Sequence, residues 1–290
     1  MLGHVLLFFV ISLLLSVPIG ISMGIGAIMP TIFNPAFPAK IEFIVRQMVG
    51  GVDSTPIIAV PLFVLSGIIM ARGGVSDKLF NVFSYFIGDK TGGLPCAVVI
   101  TCLFYGAISG SGPATTAAIG AMSIPLLVRL GYEKVFVTAL VAVAGGLGVI
   151  IPPSIPFILY GLSSGASVGA LFIAGIVPGI LIGVCLMTYA YYYCRKYGED
   201  KEKLNEYCSE LRANGFRHIF MNSFWALLTP VIILGGIYGG ITTPTEAACI
   251  SVFYALFVCC FVYKTLSLSG VKDVFREAVR TYAPILFILA

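Results

Sequence analysis

Long stretches without charge constrain the fold of this chain more than any other feature. Asp, Glu, Lys and Arg are absent from six of them: Met1–Ala39, Ser54–Ala71, Thr91–Val128, Val135–Cys194, His218–Thr245 and Ala247–Tyr263. Charged residues make up 10% of the chain, against about 25% in an average soluble protein, so they are too few to cover a surface that faces water. The sequence therefore predicts an all-α polytopic protein of the lipid bilayer and excludes a nucleic-acid binder or a secreted disulfide scaffold.

The lengths of these stretches predict how the chain folds back. A spanning helix needs about 20 apolar residues. As one helix, Thr91–Val128 would measure roughly 57 Å, about twice the thickness of a hydrocarbon core, so we expect a hairpin over 91–130. Val135–Cys194 must hold at least two crossings, and a broken helix is expected over 134–165. Prolines mark the expected breaks in this stretch: Pro152, Pro153, Pro156 and Pro178.

Basic residues predict the orientation. Arg195–Arg217 holds six Lys or Arg residues, whereas Gly235–Thr245 holds none. Because basic loops stay on the cytoplasmic side, we expect a cytoplasmic loop over 195–217 and an out-and-back helix pair over His218–Tyr263. The same count places the mouth of the hairpin, near Arg129, on the cytoplasmic side.

The N-terminal third offers less definite signals. Met1–Ala39 lacks the basic start and small-residue end of a cleaved signal peptide, so we expect a membrane anchor. Pro18 and the glycines after it leave two alternatives open, one long crossing or two short ones. Ser76–Asp89 alternates charged and large apolar residues, which is typical of a helix that lies along the membrane interface.

The expected hairpin tip reads GAISGSGPATTAAIG, from Gly106 to Gly120. Pro113 cannot donate the helical hydrogen bond that the carbonyl of Ser109 would otherwise receive, and it suits the start of a new helix. The free amides from Ala114 onward would then form a positive end that suits a carboxylate. A tight packing seam of small residues is the alternative.

A second irregular motif, GGLGVIIPPSIPF, runs from Gly145 to Phe157. Its prolines leave three carbonyls without helical donors, those of Gly148, Val149 and Pro152. Unwound carbonyls of this kind hold sodium in transporters. A proline kink that neighbouring helices stabilise is the alternative.

Glu246 is the only acidic residue between Arg217 and Lys264. An acid inside a membrane is a functional candidate. However, Thr243, Pro244 and Glu246 form a T-x-x-E capping box with proline at the first helical position. We therefore favour a structural role for Glu246, near the membrane surface.

Three motifs resemble the large membrane (M) subunit of tripartite ATP-independent periplasmic (TRAP) transporters: GAISGSGPATTAAIG, GGLGVIIPPSIPFILYG from Gly145 to Gly161, and GGITTPTEAA from Gly239 to Ala248. The resemblance implies a multi-pass subunit of the bacterial cell inner membrane, with sodium-coupled import of organic acids such as C4-dicarboxylates or sialic acid. A small membrane (Q) subunit and a periplasmic substrate-binding (P) protein would be its partners. The implied fold is an elevator-type transporter with two inverted repeats, each with a re-entrant hairpin and a discontinuous helix.

The same resemblance implies specific site residues. Na⁺ as the coupling ion would be bound by Ser109, Gly148, Ile151 and Pro153. Substrate contact would involve Ser111 and Thr115 at the hairpin tip, with Ser154 as a weaker candidate.

The expected organisation has four parts. Residues 1–90 hold scaffold helices and the interfacial helix, and 91–165 hold the hairpin and the broken helix. Further membrane helices occupy 166–263, and 264–290 start an incomplete second repeat. The resemblance thus predicts a chain that is truncated at its C-terminus and holds the first inverted repeat plus the start of the second.

No P-loop or nucleophile and base pair is present in the sequence, so neither ATP hydrolysis by this chain nor an enzyme is expected. An ion gradient or a partner must supply the energy. Two alternatives to transport stay open at this point: a channel-like protein in which the breaks line a pore, and a non-transporting assembly fragment.

Overall fold

The computed structural model describes residues 2–33, 41–213 and 215–290, and every regular element in these residues is helical. The described residues form fourteen α-helices: α1 (Leu2–Leu14), α2 (Ile19–Phe33), α3 (Ile41–Val52), α4 (Thr55–Arg72), α5 (Val75–Ile87), α6 (Gly93–Ser109), α7 (Gly112–Arg129), α8 (Lys134–Gly145), α9 (Ile155–Ser164), α10 (Val168–Tyr197), α11 (Lys201–Ala213), α12 (Phe216–Tyr238), α13 (Pro244–Phe257) and α14 (Leu268–Leu289). Met1 and residues 34–40 of the predicted anchor, and Asn214 of the predicted loop, lie outside the described residues.

The chain divides into two units, Met1–Ile57 with Val279–Ala290 and Ile58–Ala278. In the first unit, α1 and α2 pack closely: a Cβ atom added at Gly26 would lie only 3.1 Å from the carbonyl oxygen of Val5. The two helices have 13 and 15 residues. Of the two alternatives for the N-terminal stretch, the structure therefore has the two short helices.

The second unit contains the hairpin that was predicted over 91–130, as helices α6 and α7. Gly110 ends α6 with a φ of 61°, which favours glycine, and its amide donates to the carbonyl of Gly106 at 2.9 Å. Ser111 then caps α7, with Pro113 in its first turn. The short connection between the helices makes them antiparallel neighbours.

The broken helix predicted over 134–165 is also present. Helix α8 ends at Gly145, a 3₁₀ turn covers Gly146–Val149, and α9 begins only at Ile155. The break predicted at Pro178 is wrong, because α10 continues through this residue for 30 residues in all. A single proline removes one helical hydrogen bond, and a membrane helix can continue past it.

The out-and-back pair predicted over His218–Tyr263 is confirmed as α12 and α13, the latter followed by a π-helical turn at Val258–Val262. Within the part of the chain that the structure describes, four helical segments are long and apolar enough to cross a membrane: Thr55–Arg72, Val168–Tyr197, Phe216–Tyr238 and Pro244–Val262. The predicted capping box is confirmed, since Thr243 Oγ1 accepts from the amide of Glu246 and the Glu246 carboxylate accepts from the amide of Thr243 at 2.7 Å. That Glu246 lies near the membrane surface stays a prediction.

Helix α5 covers most of the predicted interfacial segment. The rings of Phe83 and Phe104 lie 5.0 Å apart, which joins α5 to α6. The hydroxyl of Ser223 on α12 donates to the carbonyl of Lys78 at 2.9 Å. The helix is therefore confirmed and has partners on two sides, while its place along a membrane interface stays a prediction.

Candidate functional site at the hairpin tip

The hairpin tip and the break in the second helix meet at one place, here called the tip-break junction and formed by residues 106–115 and 145–156. The amide of Ile155 donates a hydrogen bond to the carbonyl of Gly110 at 3.2 Å. A Cβ atom added at Gly106 would lie 2.7 Å from the Cα atom of Gly148. Two motifs separated by about 40 residues of sequence therefore touch through their backbones.

Two buried hydroxyl groups lie inside the tip. Ser109 Oγ and Thr115 Oγ1 are 2.9 Å apart, and both side chains are fully buried. Thr115 donates its hydroxyl proton to the carbonyl of Ser111 at 2.8 Å, so it accepts the proton of Ser109. Ser109 Oγ also accepts from the amide of Ser111 at 3.4 Å, which leaves it one further lone pair at a position with neutral oxygen atoms around it.

Helix α7 begins directly at the tip. Ser111 is its N-cap and accepts from the amide of Ala114 at 3.5 Å, while Pro113 stands in the first turn and is exposed. The first amides of an α-helix have no partner within the helix and carry a partial positive charge. The prediction of free amides is wrong at two positions, because the amide of Ala114 donates to the hydroxyl of Ser111 and the amide of Thr115 donates to its carbonyl at 3.0 Å. The start of α7 keeps the partial positive charge of a helix N-terminus, which suits a carboxylate.

The carbonyls that the prolines release in the break differ in their hydrogen bonding. Pro152 has no amide proton for the carbonyl of Gly148, and the amide of Ile151 is directed to the carbonyl of Leu147 at 2.9 Å. The carbonyl of Gly148 therefore lacks its helical donor, as predicted.

The prediction of an unpaired carbonyl at Val149 is wrong. The hydroxyl of Ser154 donates to this oxygen at 2.6 Å. Ser154 also caps α9 by accepting from the amide of Phe157 at 3.4 Å. Both bonding functions of this hydroxyl are thus used within the break itself, which stabilises the unwound segment.

The remaining predicted residues lie in the same place. Pro153 is buried, and its carbonyl oxygen would lie 2.7 Å from a Cβ atom added at Gly110 in the tip. Ile151 is 9% exposed and packs against Gly179 of α10. All seven residues predicted for sodium and substrate therefore lie in the two segments that form the junction: Ser109, Ser111, Thr115, Gly148, Ile151, Pro153 and Ser154.

Sequence reasoning missed a contact at the opposite end of the hairpin. Both carboxylate oxygens of Glu199 accept from the amide of Gly92, at 3.0 and 3.1 Å, and one of them accepts from the hydroxyl of Tyr132 at 2.6 Å. Gly92 precedes α6 and Tyr132 follows α7, so one carboxylate joins the two ends of the hairpin. Burial and the hydrogen bond to Glu199 raise the pKa of Tyr132 well above its ordinary value.

Comparison with known proteins identifies the family. Residues 5–290 match the family model "Tripartite ATP-independent periplasmic transporter, DctM component". The isethionate TRAP transporter permease protein DctMQ of Oleidesulfovibrio alaskensis is 43% identical over 283 residues, which are 98% of this chain and 44% of the relative. The C4-dicarboxylate TRAP transporter large permease protein DctM of Pseudomonas aeruginosa is 37% identical over 273 residues, which are 93% of this chain and 61% of the relative.

A third relative carries a different substrate in its name. The sialic acid TRAP transporter large permease protein SiaM of Vibrio cholerae is 36% identical over 269 residues, 92% of this chain and 60% of the relative. The chain thus spans less than two thirds of the length of each of these three relatives.

These findings fix the class of the protein. The family consists of transporters and the relatives are permeases, so this chain is not an enzyme. Its apolar helices and its family place it in the bacterial inner membrane as a multi-pass protein. The chain belongs to the DctM-component family of tripartite ATP-independent periplasmic transporters.

Proposed function

We propose that this chain is part of the large membrane subunit of a sodium-coupled TRAP transporter that imports organic acids. A small membrane subunit and a periplasmic substrate-binding protein are its partners. The relatives are named for isethionate, C4-dicarboxylate and sialic acid, which are all anions at neutral pH. The proposed substrate is therefore a small organic anion with a carboxylate or a sulfonate group.

One observation carries the sodium proposal. At the tip-break junction, the buried hydroxyl of Ser109 belongs to a segment that contacts the backbone of Gly148. The carbonyl of Gly148 has lost its helical donor. Neutral hydroxyl and carbonyl oxygens suit a hard monovalent cation, and the energetic cost of an unpaired carbonyl in a membrane falls when a cation binds it. Sodium is therefore proposed to bind Ser109 and Gly148 together with Ile151 and Pro153.

The substrate is proposed to bind beside the ion, at the start of α7. Ser111 is half-buried there, and the first amides of α7 provide the positive end of the helix dipole. Thr115 lies behind this position and is bonded to Ser109 and Ser111, so it connects the proposed substrate and sodium sites. Ser154 is engaged with Val149 and Phe157, so its contribution is mainly to the shape of the break.

Sodium binding would order the junction before the substrate arrives. A cation at Ser109 and Gly148 reinforces the positive end of α7 and so raises the affinity for an anion at Ser111. In the proposed elevator mechanism, the loaded junction then moves across the membrane as a body. Coupling follows when the fully loaded and empty forms cross more readily than the half-loaded form.

Transport assays with the assembled transporter test this function. Proteoliposomes with both membrane subunits would receive the binding protein and labelled isethionate, a C4-dicarboxylate or sialic acid, with either an inward sodium gradient or an equal potassium gradient. We expect saturable uptake of at least one acid only with sodium, and sodium-dependent counterflow. Equal uptake under potassium would contradict sodium coupling, a non-saturable flux would favour a channel, and no uptake of any acid would favour a non-transporting assembly role.

A further inference from the structure

A contact between two glycines limits how closely the two segments of the tip-break junction approach each other. A Cβ atom added at Gly106 would lie 2.7 Å from Gly148 Cα and 3.2 Å from Gly148 N. Both neighbours are backbone atoms, so no side-chain rotation can make room for a methyl group. Gly106 lies one helical turn before Ser109, and the pair therefore sets how far the tip stands from the break.

Helix α4 supports the tip on another side. A Cβ atom added at Gly67 would lie 3.0 Å from both Cα and Cβ of Ser109. The hydroxyl of Tyr105, fully buried one turn before Ser109, donates to the carbonyl of Gly67 at 2.9 Å. The tip is therefore held to α4 by direct packing and by a buried hydrogen bond.

Helix α10 supports the break in a similar way. A Cβ atom added at Gly175 would lie 2.6 Å from the carbonyl oxygen of Ile150 and 2.5 Å from a ring carbon of Phe157. Ile150 stands between Gly148 and Ile151, which are both proposed sodium ligands. The break thus has a support of its own, and the distance across the junction is set by the contact between Gly106 and Gly148 together with the hydrogen bond from Ile155 to Gly110.

We propose that Gly106 is a specificity-determining residue, which keeps the tip and the break at the spacing that prefers sodium over lithium and potassium. This inference rests on the proposed sodium site. Ion selectivity depends on the size of the cavity and on the number and field of its oxygen ligands. A methyl group at Gly106 must move Ser109 away from Gly148 and so lengthen the distances between the oxygen ligands. A larger cavity weakens the binding of lithium, the smallest of the three ions, more than that of sodium.

Sodium and lithium binding to the purified, assembled transporter tests the proposal, with sodium chloride and lithium chloride alone as probes in calorimetric titrations. For Gly106→Ala we expect the ratio of the lithium to the sodium dissociation constant to rise about fivefold or more, which corresponds to about 1 kcal/mol. Gly235→Ala is the control, because an added Cβ atom there meets nothing within 4 Å. A ratio in Gly106→Ala equal to that of the wild type would overturn the proposal.

Two further outcomes separate the inference from its basis. Absence of sodium binding in the wild type would contradict the proposed function as well as this inference. If Gly106→Ala does not fold, Tyr105→Phe adds no volume and removes only the hydroxyl that holds the tip to α4. In added titrations with potassium chloride, we then expect the preference for sodium over potassium to fall about threefold or more, since a less rigid cavity discriminates less. An unchanged preference would contradict the inference.

Discussion

The hydroxyl of Ser154 lies 2.6 Å from the carbonyl oxygen of Val149 and donates to it within the break. Pro153 removes the helical donor of this oxygen, and Ser154, five residues further along the chain, replaces it. Of the carbonyls that the prolines release, this one is thus stabilised by the chain itself, whereas Gly148 has no such donor among its backbone neighbours. The break therefore combines a stabilised part with a part that can bind an ion.

Substitution of Ser154 tests whether its hydroxyl stabilises the break. Ser154→Ala leaves the buried carbonyl of Val149 without a donor and removes the cap of α9. We expect a loss of stability of about 1 to 3 kcal/mol, measured as a lower thermal unfolding midpoint of the purified transporter. Ser163→Ala is the matched control, because Ser163 is exposed on the same helix and bonds only its own turn, at the carbonyl of Leu159. Equal effects of the two substitutions would contradict this role of Ser154.

The capping box predicts a purely structural role for Glu246. Glu246→Ala removes the acceptor for the amide of Thr243 and should lower the stability of the start of α13. Glu246→Gln keeps an oxygen acceptor and should retain most of that stability. The sodium concentration that gives half-maximal uptake should equal the wild-type value in both variants. A large shift of this concentration in Glu246→Gln would show that the charge takes part in transport.

The contact between Glu199 and Tyr132 predicts an energetic coupling at the mouth of the hairpin. In a double-mutant cycle with Tyr132→Phe and Glu199→Ala, we expect a coupling of about 1.5 to 3 kcal/mol, because the bond is charge-assisted and Tyr132 is buried. Tyr193 and Glu133 form a similar but more exposed pair and serve as the control, with a coupling expected below about 1 kcal/mol. A coupling for Tyr132 no larger than that of the control would contradict the fastening role.

The pH dependence of stability provides a second measure of this contact. The pKa of Tyr132 is raised in the folded protein, so the neutral phenol is favoured by folding. Its stabilising contribution is complete below the ordinary tyrosine pKa of 10.0 and is lost as the pH rises above that value. Tyr132→Phe should therefore make the fall in stability at alkaline pH less steep, and an identical pH profile would count against the contact.

The sequence alone predicted those features that depend on neighbouring residues. Three closely spaced prolines predicted the break before Ile155, because each one removes a specific backbone donor. The T-x-x-E pattern predicted the cap at Thr243 for the same local reason. The partner of the Val149 carbonyl was missed, although a serine two residues before Pro156 is a recognisable helix cap.

Contacts between distant residues were beyond such reasoning. Glu199 and Gly92 are 107 positions apart, and nothing in the charge pattern joins them. Nothing in the sequence around Gly67 distinguishes it from other glycines of apolar stretches, and only the fold shows that it contacts Ser109. Pro178 was named as a place where the stretch can break, yet a lone proline costs one helical hydrogen bond and α10 continues past it.

Sodium binding to the Ser109→Ala variant tests the central claim most directly. The assembled transporter, with its partner subunits, would be titrated with sodium chloride and compared with Ser123→Ala, which removes an equally buried hydroxyl that bonds the carbonyl of Ile119 within α7. Loss of one oxygen ligand should raise the sodium dissociation constant about tenfold, equivalent to about 1.4 kcal/mol, while Ser123→Ala leaves it unchanged. A sodium constant in Ser109→Ala equal to that of Ser123→Ala and the wild type would contradict a sodium site at the tip-break junction.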